Sequence, residues 1–125
     1  MAETIDLIRT IETIAERKGV FRPDAYFYVL QALEIAMASQ GERVHISGSD
    51  LLDSIRDTGR KRYGPMALDV FHSWGVRSTL DFGRIVFHLV EEDLLRKRDQ
   101  DSLADFVDRF DFQEEFSLKV FEAES

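Results

Sequence analysis

The clearest helical pattern in the chain lies in residues 74–95, WGVRSTLDFGRIVFHLVEEDLL. Apolar residues recur there every three or four positions, which places them on one face of a helix. Ser78 and Thr79 are typical of a helix start, so we expect a helix to begin there. The apolar face consists of Phe82, Ile85, Val86, Leu89, Val90 and Leu94, and the polar residues Arg84, His88 and Glu91 lie opposite it.

Two further helical patterns lie near the N-terminus. Apolar spacing predicts one helix over about residues 4–18 and a second helix from about residue 23, which Gly41 ends. The connection between them, residues 19–22, is short enough to make the two helices antiparallel neighbours. We therefore expect residues 1–41 to form a helical hairpin. The inward stripes include Ile5, Ile8, Ile11 and Ala15 on the first helix, and Leu30, Leu33, Ala36 and Met37 on the second.

Between the hairpin and residues 74–95, the sequence predicts a short strand and two helices. Val44-His45-Ile46 places two β-branched residues on one side of an extended segment. Ser47 and Asp50 have the spacing of a capping box at a helix start. Gly64-Pro65 ends that helix and begins another, which Gly75 stops.

Two elements are expected after residues 74–95. Residues 94–107 carry the pattern of a β-hairpin with a polar tip, and a short helix capped by Ser102 is the alternative. Residues 111–121 carry Phe112, Phe116 and Val120 at helical spacing. We expect them to form a C-terminal helix whose phenylalanines dock on the core.

The order of elements over residues 44–107 is a strand, three helices and a hairpin. This order resembles that of winged helix-turn-helix domains, in which the third helix lies against DNA. The predicted fold is accordingly a mainly α (α+β) single domain over residues 1–125. An all-α bundle is the alternative.

Five short motifs follow one another along the chain. They are Tyr63-Gly64-Pro65-Met66-Ala67, Trp74-Gly75-Val76, Thr79-x-Asp81-Phe82-Gly83-x-Ile85-Val86-Phe87-x-Leu89-Val90-Glu91, Asp105-Phe106 and Asp111-Phe112. This combination resembles a family of small uncharacterised bacterial proteins, and the resemblance spans about residues 24–116. Since that family has no established function, the resemblance implies no activity and no site residues.

Composition excludes several classes of site. The chain has no cysteine, so disulfides, thiolate zinc sites, iron–sulfur clusters and cysteine nucleophiles are excluded. The acidic N-terminus lacks the positive start of a signal peptide. The longest apolar run, residues 25–30, is far below the ~20 residues that cross a bilayer. We expect a cytoplasmic protein with no membrane contact.

Charge argues against a polybasic mode of binding nucleic acid. The net charge is −8, and residues 91–125 hold twelve acidic and five basic residues. The winged-helix interpretation would place cations at the turn, the third helix and the wing, where phosphate contacts cluster. Carboxylates at Asp81, Glu91 and Glu92 interrupt this set, so nucleic acid is the less favoured partner. The candidate nucleic-acid contacts are Arg77, Arg84, Arg96, Lys97 and Arg98.

A metal-dependent enzyme is the second alternative. Asp69 and His72, and likewise His88 and Glu91, are three residues apart, so two acid–histidine pairs could face one metal in a bundle. The inward positions of these helices are apolar, and His88 falls on the polar face.

Residues 81–83 copy the Asp-Phe-Gly of kinases without the other kinase motifs, so we interpret them as packing residues. The sequence predicts no catalytic residue, no cofactor and no metal ligand.

The favoured function is a non-enzymatic regulatory or protein-interaction domain. Its partner would be a protein, either a second copy of the chain or another molecule. Aromatic residues that flank the inward stripes are expected to be exposed and to form the contact surface. These residues are Phe21, Tyr26, Tyr28 and Phe87.

Overall fold

A computed structural model describes residues 2–40 and 46–95 and, near the C-terminus, Phe116. The described residues are mainly helical, as predicted, and contain no strand, so the all-α alternative fits them. None of their helices has both the length and the apolar character needed to span a membrane. The elements are α1 (Ala2–Lys18), α2 (Pro23–Gln40), α3 (Gly48–Tyr63), a 3-10 turn (Gly64–Met66), α4 (Ala67–Ser73) and α5 (Thr79–Glu91).

The predicted β-structure is not seen in the described residues. Ile46, the described member of the predicted strand, is half-buried against the core and leads directly into α3. Leu94 and Leu95 begin the predicted hairpin, but their amides donate to the carbonyl of Leu89 at 2.9 and 3.4 Å. This bonding turns both leucines back onto the core. The remainder of the predicted hairpin, residues 96–107, lies outside the described residues.

Helix α3 begins at the capping box that the sequence predicts. The Ser47 hydroxyl accepts a hydrogen bond from the Asp50 amide at 3.0 Å, and the Asp50 carboxylate accepts one from the Ser47 amide at 3.4 Å. These bonds satisfy amides that have no partner within the helix. They fix where α3 starts and therefore which of its residues face α2.

Helices α2 and α3 approach each other closely near Gly59. The Tyr28 hydroxyl donates a 2.6 Å hydrogen bond to the carbonyl of Ile55, one turn before Gly59. A Cβ atom at Gly59 would lie 2.8 Å from Phe71 Cζ and 2.9 Å from the Tyr28 oxygen. Both distances are shorter than van der Waals contact. Glycine is therefore required for the tyrosine and the phenylalanine to reach α3.

An aromatic cluster surrounds this contact. The Phe71 ring centroid lies 5.3 Å from that of Tyr28, 5.6 Å from Trp74, 5.4 Å from Phe82 and 5.2 Å from Phe116. Two of these pairs, Phe71 with Phe82 and Phe71 with Phe116, meet edge to face, an arrangement that aromatic quadrupoles favour. The cluster joins α2, α4, α5 and Phe116. Phe116 itself is helical and fully buried, whereas the other residues of the predicted C-terminal helix, 111–121, lie outside the described residues.

The connection between α1 and α2 docks on the turn between α4 and α5. The Arg22 amide donates to the Trp74 carbonyl at 3.0 Å. Gly75 has φ +91°, and a Cβ atom there would lie 2.7 Å from the Val20 carbonyl oxygen. This turn thus requires glycine for its backbone conformation and for the close approach. The contact joins the N-terminal hairpin to the second half of the chain.

We predict that Gly59→Ala destabilises the protein by about 1–3 kcal/mol because it overpacks the α2–α3 contact. In an unconstrained helix interior the same change would stabilise by about 0.5–1 kcal/mol. Urea unfolding should show a lower midpoint at an unchanged slope. Glu34→Ala, on an exposed helical position, serves as the control and should change stability by no more than about 0.5 kcal/mol. A stabilised Gly59→Ala variant would contradict the steric argument.

Candidate interaction surface

Three of the four aromatic residues predicted to form a contact surface are buried. Phe21, Tyr26 and Tyr28 are each at most 3% exposed, so the expectation of exposure is wrong for them. Phe21 lies in the connection that docks on the turn at Gly75. Tyr26 and Tyr28 lie on α2, which packs against α1, α3 and α5 together. Positions that flank its main stripe therefore face a neighbouring helix rather than solvent. Phe87, on α5, is half-buried.

Tyr26 is paired with His88 across the α2–α5 contact. Its hydroxyl lies 2.8 Å from His88 Nδ1, and the two rings stack with centroids 6.0 Å apart. Burial raises the pKa of Tyr26 to about 12, so the hydroxyl keeps its proton at neutral pH. It can therefore donate to Nδ1 of a neutral imidazole that carries its proton on Nε2. His88 is thus a half-buried packing residue and not the solvent-facing one that the sequence suggested.

Two ion pairs join the end of α1 to the end of α5 beside His88. The Lys18 ammonium lies 3.0 Å from the Glu91 carboxylate, and Arg17 pairs with Glu92. The pKa of His88 is lowered from its usual value, first by burial and then by the positive charge of Lys18. The fold therefore favours the neutral form of His88.

The described candidates for nucleic-acid contact are Arg77 and Arg84, and both are exposed. Arg84 forms a 2.8 Å ion pair with Asp81. The candidates Arg96, Lys97 and Arg98 lie outside the described residues. In α5, which the structure describes completely, only Arg84 and Glu91 are exposed. Such a helix offers little polar surface to a DNA groove.

Asp81, which the sequence pattern suggested to be exposed, is buried at the third position of α5. Its carboxylate accepts a hydrogen bond from the Arg77 amide at 2.9 Å, in addition to the ion pair with Arg84. Ser78 makes no side-chain capping bond. Asp81 therefore anchors the turn that precedes α5, and Phe82 and Gly83 beside it are buried as expected.

The predicted acid–histidine pairs are not brought together in the described part of the chain. There, no three His, Asp or Glu side chains form a group that could hold a metal ion. Asp69 is exposed on α4. His88, in contrast, is hydrogen-bonded through Nδ1 to the Tyr26 hydroxyl.

Four large apolar side chains lie exposed at one end of the α1–α2 hairpin. Leu7 and Ile8 on α1 are 36% and 39% exposed, and Ile35 and Met37 on α2 are 46% and 42% exposed. Since the two helices are joined by a short connection and pack together, the first half of α1 lies beside the second half of α2. We call these four residues the apolar end.

The apolar end continues the stripes that form the core. Leu7 lies one helical turn before Ile11, and Ile11 is fully buried. Sequence periodicity identifies Ile8 and Met37 as inward residues but does not show where the neighbouring helices stop covering them. That boundary is set by the tertiary structure, so sequence reasoning placed these residues in the core.

A groove of about 580 Å³ runs between α2 and α3 and includes Ile35 of the apolar end. Ala36 and Thr58 are nearly buried and form its floor. Asp53 and Asp57, whose side chains are more than half exposed, lie along its α3 wall. The remaining lining residues are Ser39, Asp50, Ser54, Lys61 and Arg62.

Comparison of the chain with protein-family models, with curated proteins and with solved structures finds no match.

We predict that Asp81→Ala lowers stability by about 1–3 kcal/mol, because the Arg77 amide loses a charged acceptor in a partly buried setting. Arg84→Ala removes only the half-exposed ion pair and should cost at most about 1 kcal/mol. Thermal or urea unfolding of both variants measures the difference. An equal loss in the two variants would show that the ion pair, and not the backbone anchor, is the main contribution of Asp81.

We predict that His88 makes stability fall as the pH is lowered. The folded-state pKa of His88 is below the usual value of 6.5. The imidazole of His88 therefore binds a proton more readily in the unfolded chain than in the folded one. The His88 contribution is complete above pH 6.5 and is lost as the pH falls from there through the folded-state pKa. Urea unfolding between pH 7.5 and pH 5 should show a smaller decrease for His88→Asn than for the unchanged chain. The same decrease in both proteins would assign the effect to other groups.

Proposed function

We propose that the chain is a non-enzymatic protein-interaction domain that binds its partner through the apolar end. The observation that carries this proposal is the exposure of Leu7, Ile8, Ile35 and Met37 at one end of the hairpin. Exposed apolar side chains that cluster at one place are characteristic of contact surfaces between proteins. A regulatory role would follow from the partner that the domain binds.

The energetics of the apolar end support association. Each of its side chains retains more than a third of its accessible surface. Removing apolar surface from water is worth about 25 cal/mol per Å². A partner that covers these four residues would gain this energy without having to order the helix backbone, because the residues lie on helices whose conformation the core already fixes.

The two alternative functions have less support. A winged-helix DNA-binding regulator would need a polar third helix, but α5 is mostly buried and its Arg84 is paired with Asp81. A metal-dependent enzyme would need converging ligands. The polar groups brought together around Tyr26, His88 and Asp81 instead join helices and turns to one another.

The proposal predicts that polar substitution at the apolar end abolishes partner binding. The double variant Leu7→Gln/Met37→Gln replaces two exposed apolar residues with a good helix former, so the fold should be retained. Affinity-tagged chain is cross-linked in cells of its source, and its mass is measured by light scattering to detect a dimer. A partner, or a second copy, should associate with the unchanged chain and at least tenfold less with the double variant.

The matched control is Val20→Gln/Met66→Gln, which makes the same chemical change at exposed positions outside the apolar end. This control should bind as the unchanged chain does. Association that survives Leu7→Gln/Met37→Gln, or a chain that is monomeric and captures no partner, would contradict the proposal.

A further inference from the structure

We propose that the groove between α2 and α3 binds an amphipathic helix of the partner protein that carries lysine or arginine along one side. This inference rests on the proposed function, which it extends by naming the chemistry of the partner. Ile35 belongs both to the apolar end and to the groove. Ile35 is therefore the residue through which a partner bound at the apolar end would reach the groove.

The shape of the groove fits a helix. Its walls are two helices, and its α3 side runs from Asp50 to Arg62. At 1.5 Å per residue this is about 18 Å. A partner helix of roughly twelve residues, about three turns, would span that length. Docking of an amphipathic helix between two helices through apolar anchors is a recurrent mode of recognition.

The floor of the groove supplies the apolar contact. Ala36 on α2 and Thr58 on α3 are small and nearly buried, so a partner side chain can approach the backbones of these two helices closely there. Ile35 stands beside them with 46% of its surface exposed. An apolar anchor such as leucine would fit against this isoleucine and cover it.

The charges along α3 specify the other face of the partner. Asp50, Asp53 and Asp57 have the spacing i, i+3 and i+7, so they lie along one side of α3 and all three line the groove. Arg56 contacts Asp53 at 3.6 Å and Asp57 at 3.1 Å. These pairs are surface-exposed, and such pairs are typically worth no more than about 1 kcal/mol.

Cations of a partner can therefore share or replace Arg56 at these carboxylates. The cations that line the groove, Lys61 and Arg62, lie at its other end. Arg62 is already bound to Gln31 at 2.6 Å and lies over the Tyr28 ring. The half of the groove at the start of α3 is thus negative, and an anionic segment would be repelled from it.

The test uses two designed, fluorescently labelled helical peptides. Both peptides carry leucine at positions i, i+3, i+4 and i+7, and they differ only in having lysine or glutamate on the flanking positions. Fluorescence anisotropy at about 50 mM salt measures their affinity for the full chain. The lysine peptide should bind at least tenfold more tightly than the glutamate peptide, and its affinity should fall as salt is raised, because charge attraction is screened.

Variants of the chain test the assignment to the groove. Asp53→Asn/Asp57→Asn should weaken binding of the lysine peptide at least fivefold, and Ile35→Ser should weaken binding of both peptides. The charge-matched control, Glu12→Gln/Asp69→Asn, removes two carboxylates at exposed positions outside the groove. It should leave the affinity within twofold of that of the unchanged chain.

Three results would overturn the inference. These are equal affinity for the two peptides, no binding of either peptide at millimolar concentration, and an equal loss of affinity in the groove variant and its charge-matched control. If one of them is obtained while Leu7→Gln/Met37→Gln still abolishes partner capture, the partner chemistry is wrong and the proposed function stands. If partner capture does not depend on the apolar end, the proposed function fails independently of the peptides.

Discussion

The absence of a side chain at Gly59 lets α2 and α3 approach closely enough for the Tyr28 hydroxyl to reach the Ile55 carbonyl. A hydrogen bond inside an apolar cluster is stronger than one in water, but an unpaired hydroxyl there would be costly. The position of Tyr28 therefore determines where Phe71 can lie. Phe71 in turn contacts Trp74, Phe82 and Phe116, so one glycine sets the spacing of the whole aromatic cluster.

Polar groups in this protein join helices to one another. Tyr26 links α2 to His88 on α5, and Lys18 links the end of α1 to Glu91. Asp81 holds the turn before α5 through the Arg77 amide. Since these side chains are engaged in the scaffold, the surface proposed for recognition among the described residues is the apolar end together with the groove that shares Ile35 with it. The proposed function depends on this division between internal polar contacts and external apolar ones.

Much of the helical structure follows from sequence, because apolar spacing, the Ser47 capping box and the glycine and proline stops are local signals. Exposure is a tertiary property, and apolar spacing along the chain does not determine it. Tyr26 and Tyr28 flank the main stripe of α2, and three neighbouring helices bury them. Leu7 and Met37 share the periodicity of core residues but lie beyond the point where the core ends. The predicted strand is not seen at Ile46, the one of its residues that the structure describes, because burial against the core does not require a strand there.

Hydrogen exchange at the Arg22 amide, which donates to the Trp74 carbonyl, can report whether the protein unfolds cooperatively. The two residues are far apart in sequence, and the Arg22 amide belongs to a connection rather than to a helix. Its proton can exchange with solvent only when the N-terminal hairpin separates from the turn that precedes α5. Hydrogen exchange at this single amide therefore distinguishes a protein that opens in two halves from one that unfolds as a unit.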